Sequence, residues 1–160
     1  MAELRAKHVS AKFGKMIPIR LRPGTDLMNG FKKVCEDNGV RQGSIMTAIG
    51  SLRKLTIQVL VPNEKAKLGA AYTEPQTIPG PIEVLGVQGV IFETEAGEVA
   101  LHLHGTFSDK DGKVYGGHVV PGENPVLATL DAVIGEVADA RLTLRHDEET
   151  GLNHFSPEPL

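Results

Sequence analysis

The sequence predicts an α/β protein of the α+β kind, in which many short strands accompany one main helix. Three observations lead there. Eighteen glycines and ten prolines stand against seven aromatic residues and no tryptophan, a composition of tight turns joining strands cored by Val, Ile, Leu and Ala. Two-residue alternation of apolar and polar side chains recurs along the chain, while Leu27, Phe31, Val34 and Cys35 follow helical spacing. A chain of 160 residues with 41% apolar content can bury one sizeable core, so residues 1–160 are expected to form a single domain.

The elements follow in order. Met16 to Arg22 places Ile17, Ile19 and Leu21 at the two-residue period of a half-buried strand, which Pro23-Gly24 ends. The helix comes next, with Thr25 as its cap, Asp26 in the first turn and Gly39 closing the end. Gly30 weakens it by about 1 kcal/mol relative to alanine. Ser44 to Ile49 and Lys54 to Val61 read as strands hinged at Gly50-Ser51, and Pro62 to Pro81 reads as an exposed connection. Ile82 to Phe92, Val99 to Phe107 and Lys113 to Val120 are strands separated by the turns Glu95-Ala96-Gly97 and Asp109-Lys110-Asp111-Gly112. Residues 126–137 fit two patterns. Val126, Leu127, Leu130, Val133, Ile134 and Val137 keep helical spacing behind Asn124-Pro125, whereas Val126, Ala128, Leu130, Ala132 and Ile134 alternate as a strand would. Arg141 to Arg145 forms a last strand, and the acidic, proline-bearing tail from His146 is expected to be loosely held.

Charge and cysteine usage narrow the function classes. The net charge of −3 argues against non-specific binding of nucleic acid, which works by neutralising phosphates with Lys and Arg. Residues 1–22 carry Arg5, Lys7, Lys12, Lys15, Arg20 and Arg22 against Glu3, a sum of +5 that leaves −8 for the rest. Charges alternating along an edge strand read as a solvated face; a groove for an anionic ligand is the sharper alternative. Cys35 is the only cysteine, so no internal disulfide forms, and a buried thiol is expected. The N-terminal stretch is charged and no run approaches bilayer length, so a cytoplasmic protein with no membrane partner is expected.

The most informative chemistry lies in Ala100-Leu101-His102-Leu103-His104. The strand period puts His102 and His104 on one face, Leu101 and Leu103 on the other. A hairpin turning near Asp111 pairs Ser108 with Val114 and His104 with His118, which brings the third histidine to the same face; a one-residue slip would turn it away. Three neutral imidazoles plus a water or substrate make the open site of a catalytic zinc, and one thiol is too few for a thiolate-rich structural site. The bland reading makes these histidines polar residues of an amphipathic strand. Gly105, Gly116 and Gly117 are expected to leave room beside the metal. His8, His146 and His154 read as surface residues. Glu83 and Glu136, in apolar strand sequence, read as partners of Arg53 or Arg141, with acid–base chemistry as the sharper account. Ser51 lacks a nucleophile elbow and shapes a turn instead.

Together, GSLRKLTI, PIEVLGVQGVI, VALHLHGTFSDKDGKVYGGHVV and LDAVIGEV resemble the PPC (plant and prokaryote conserved) domain over most of the chain. The resemblance implies a curved, largely antiparallel sheet with a helix packed on it, a homotrimer, and a strand at residues 126–137. Plant members follow AT-hook segments and lack the histidines. Stand-alone prokaryotic members carry a DNA-binding label, and their metal site matches His102, His104 and His118. The fold is also similar to that of acetolactate decarboxylases, whose three-histidine zinc polarises a carbonyl. By that analogy Arg53 would orient an anionic substrate and Glu83 would shuttle protons. Three functional readings follow: a zinc-binding trimer acting on or sensing a small molecule, a DNA-binding regulator, and a structural interaction module.

Overall fold

The structure, a computed structural model, describes residues 5–160; Glu3, counted in the basic first segment, lies outside the described residues. Strand β1 (Phe13–Leu21) leads through a turn into helix α1 (Leu27–Asp37), and the long strand β2 (Gly43–Gln58) follows. A short arm, β3 (Leu60–Pro62) and β4 (Ala70–Tyr72), precedes β5 (Gln76–Glu93). Then come β6 (Val99–Ser108), β7 (Val114–Val119), β8 (Val126–Val137), β9 (Ala140–Asp147) and β10 (Leu152–Pro159).

Eight strands form one sheet in the order β1-β8-β2-β7-β6-β5-β9-β10. Its ladders are antiparallel except for a single parallel pairing of Glu93 with Thr143. β2 also pairs with β5 along most of its length, so β2, β5, β6 and β7 close into a ring and the sheet curves strongly. The α+β architecture with a curved antiparallel sheet is therefore as the sequence predicts.

The core is where the alternation placed it. Leu52, Leu55, Ile82, Ile91, Leu103, Phe107, Leu130 and Ile134 are fully buried, joined by Leu27, Phe31 and Cys35 from α1. Residues 126–137 resolve to strand: Val126, Leu130, Ala132 and Ile134 turn inward, while Leu127 of the helical pattern is 39% exposed. Pairing with both β1 and β2 decides it, because a central position satisfies the backbone and one face together.

Asp26, not Thr25, caps α1: its carboxylate accepts the Asn29 N–H at 2.9 Å and also the N–H groups of Gly122 and Asn124. Asn124 caps no helix. It is fully buried, accepting the Thr56 N–H at 2.7 Å and donating to the carbonyls of Thr56 and Val120. Gly50-Ser51 does not divide two strands; β2 runs through it with register shifts, and a Cβ on Gly50 would stand 2.2 Å from the Thr129 carbonyl. The connection from Pro62 to Pro81 is not all loop, since it holds β4 and the start of β5. Pro79 and Pro81 sit in β5 beside the Leu52/Lys54 register shift, where an interrupted ladder tolerates proline. The tail is likewise tied down: β10 pairs with β9 from Leu152 to Pro159 and Ser156 is buried. Its prolines concealed it, and an edge strand is where prolines are accommodated.

Candidate metal centre

The β6–β7 hairpin has the predicted register, with His104 opposite His118 and Ser108 opposite Val114. The inward side chains of β6, Val99, Leu103 and Phe107, are anchored in the core, which commits His102 and His104 to the outer face. His118 is held from both sides, by His104 on β6 and by Gln58 on β2. The three rings consequently converge, with centroids 4.9, 5.1 and 5.4 Å apart.

Nε2 of His102 lies 3.0 Å from Nε2 of His104, and one nitrogen from each of the three histidines falls within 4.8 Å of the others. Imidazole nitrogens around one tetrahedral zinc at about 2.0–2.1 Å stand roughly 3.3 Å apart, so the cluster is of the right size for one ion. The buried Nδ1 of His118 has no hydrogen-bond partner, an arrangement that costs free energy unless a bound group completes it. Burial lowers the His118 pKa to about 4, with His102 and His104 adding repulsion. Burial, then His104 and His154, lowers the His102 pKa. Both rings are thus held neutral at physiological pH, the state a metal ligand requires. Among the described residues no carboxylate or thiolate belongs to the cluster; Cys35 is fully buried on α1, where desolvation raises its thiol to about 11.

The family model of the Plants and Prokaryotes Conserved (PCC) domain matches residues 8–138. This chain belongs to that family. The matched span of the PCC domain includes the HLHG stretch and His118, the residues that carried the resemblance. Among curated proteins, the bifunctional protein GlmU of Synechococcus sp. (strain JA-2-3B'a(2-13)) is 25% identical over 146 residues, 91% of this chain. The chain spans only 21% of that GlmU. A metal-containing protein from Archaeoglobus fulgidus shares the PCC-domain fold at a TM-score of 0.77, 24% identical, covering 95% of this chain and 99% of that one. A "putative DNA binding protein" from Bacteroides thetaiotaomicron does so at 0.72, 22% identical, covering 91% and 96%.

Glu83 and Arg53 are not brought to the histidines. Glu83 pairs with Ser108, four residues along β6 from His104, or about 13 Å. Arg53 lies five residues before Gln58, the β2 partner of His118, or about 16 Å. Both are exposed and, among the described residues, neither forms an ion pair. Glu136 also finds no arginine; its carboxylate accepts the Lys15 backbone N–H at 2.9 Å. Ser51 shapes no turn, since it lies within β2 opposite Glu83; its Oγ accepts the Ala128 N–H at 3.2 Å.

The glycines divide in a way the sequence did not show. A Cβ on Gly105 would meet the Phe107 ring at 2.4 Å, and one on Gly117 would meet the Gln58 carbonyl at 2.6 Å, so both are required by packing. Only Gly116 would accept a Cβ without a clash, at an ordinary contact distance of 3.5 Å from the Gly105 carbonyl. Two residues beside the centre were missed. Tyr72 of β4 stacks against His118 with centroids 5.2 Å apart, and the exposed His154 of β10 lines a cavity together with His102 and His118. Neither carries a local signal, because the arm and the edge strand meet the histidines only through tertiary folding.

Proposed function

We propose that this protein is a metal-binding PCC-domain protein in which His102, His104 and His118 hold one zinc ion, and that it binds or acts on a small molecule there as a homotrimer. The observation that carries this reading is the convergence of three imidazoles, with one buried nitrogen of His118 unpartnered. The metal-containing relative from Archaeoglobus fulgidus supports it. A bound zinc would supply Lewis-acid chemistry to a coordinated oxygen. The protein's own part is to orient: the core anchors β6, the ladders to β2 and β6 fix His118, and Tyr72 covers one side of its ring. For assembly, Phe13, Met16, Met46 and Ile49 leave an apolar strip exposed on β1 and β2, suited to a second copy of the chain. A buried, unreactive lone cysteine agrees with a cytoplasmic setting. No helix among the described residues is long and apolar enough to cross a membrane.

The test is elemental analysis of protein purified without tag or chelator, beside His102→Ala and His118→Ala. About one zinc per chain, lost in both variants, is expected. No metal, even after zinc is added back, would overturn the reading in favour of an interaction module. Light scattering should give three times the 17.2 kDa chain mass.

DNA binding is the second reading, favoured by the Bacteroides relative. Three of the six basic side chains in its basic segment are engaged within the chain: Arg5 with Glu149, Lys15 Nζ with the Asn38 carbonyl, and Arg20 with Thr129. Tight, salt-sensitive retardation of duplex DNA in a gel would restore it.

A further inference from the structure

The histidine centre borders a cavity of about 730 Å³, within the roughly 300–1,000 Å³ typical of small-molecule sites. Three parts of the chain build it. The arm around β3 and β4 supplies Leu60 and Leu68, the ends of β5 and β6 supply Phe92 and Leu101, and the β9–β10 hairpin supplies Leu144 and Phe155. That hairpin follows residue 138, where the family match ends. Polar groups are few: His102 and His118 on one wall, Tyr72 on the arm, and Asn153 and His154 on β10. An apolar body with one polar end is the ligand shape that such walls select.

The charge of the polar end follows from the donor set. Imidazole ligands bring no charge of their own to a zinc ion, and no Asp or Glu among the described residues belongs to the cluster. An anionic oxygen would therefore bind better than a neutral one, oxygen donors being acceptable to zinc at about 2.0–2.2 Å. We infer that this cavity binds a small carboxylic acid with an apolar body, a medium-chain aliphatic or aryl-alkyl acid, its carboxylate directed to the histidine centre and its chain laid against Leu68, Phe92 and Phe155. The inference rests on the metal reading above and extends it to the class of ligand.

Calorimetry with straight-chain carboxylates from acetate to octanoate tests it, run on zinc-loaded and metal-free full-length protein. Affinity should rise about three- to fourfold per methylene over several members. The rise should vanish in Leu68→Asp and Phe155→Asp, whose side chains are 50% and 37% exposed in the native protein, while metal content and melting temperature stay unchanged. A flat series on zinc-loaded protein, or a rise that survives both substitutions, overturns the cavity assignment and leaves the metal reading standing. A protein that takes up no zinc yet shows the rise sinks the metal reading and keeps the cavity. Failure to bind any acid because a second copy fills the cavity, seen as binding restored on dilution to monomer, also overturns the assignment.

Discussion

His104 faces His118 directly across the β6–β7 ladder, and the centroids of their rings stand 5.4 Å apart. The pair joins a rigid strand, backed by Leu103 and Phe107 in the core, to a short strand clasped between β6 and β2. Such a cluster is preorganised, so metal binding should add to folding stability. Zinc at a hundredfold excess over its dissociation constant should stabilise the protein by about 2.7 kcal/mol. Thermal melts should therefore shift upward by several degrees in the wild type and not at all in His104→Ala.

The same burial predicts a pH dependence for the metal-free protein. His118 titrates at about 4 in the fold and near 6.5 in an unfolded chain. Between those values the unfolded state binds more protons, so stability rises with pH through that window and levels off above it. His102 is shifted in the same direction. Denaturant midpoints at pH 5 and pH 7.5 should differ less in His118→Gln than in the wild type. Equal differences would contradict a half-buried, neutral His118.

Asn124 predicts a stability cost unrelated to metal. Its amide satisfies the Thr56 N–H and two carbonyls inside the fold, at 2.7 to 3.1 Å. Asn124→Ala removes the partner of the Thr56 N–H and of the Val120 carbonyl, while the Thr56 carbonyl keeps the Val120 N–H, and the loss costs about 2 kcal/mol. Urea unfolding should show the lower midpoint, with zinc content unaltered.

Cys35 should be inert in the native protein. It is fully buried, and desolvation with the neighbouring Glu36 carboxylate raises its thiol to about 11. Ellman's reagent at pH 8 should label it at least about a hundredfold more slowly than in denaturant, where one thiol per chain reacts.

Much of this was legible in the chain. Alternation identified β1 and the β5–β7 strands, helical spacing identified α1, and the spacing of His102, His104 and His118 about the Asp109–Gly112 turn predicted their shared face, which the ladder has. These are local properties: a period and a turn position suffice to say which side chains share a side. The local pattern of residues 126–137 fits helix and strand alike; the family resemblance pointed to strand, and pairing with β1 and β2 makes it one. Arg53 and Glu83 were placed beside the histidines by analogy, and the register of β2 with β5 separates them from the cluster.

The sequence by itself therefore determined the histidine face, the helix and the apolar core, because each depends on residues a few positions apart. Only the tertiary structure decided what surrounds the histidines. Tyr72 on the arm and Leu144, His154 and Phe155 on the last hairpin reach the centre across long stretches of chain. Such contacts depend on how the sheet curves and which edge receives the final strand, and no local period encodes either.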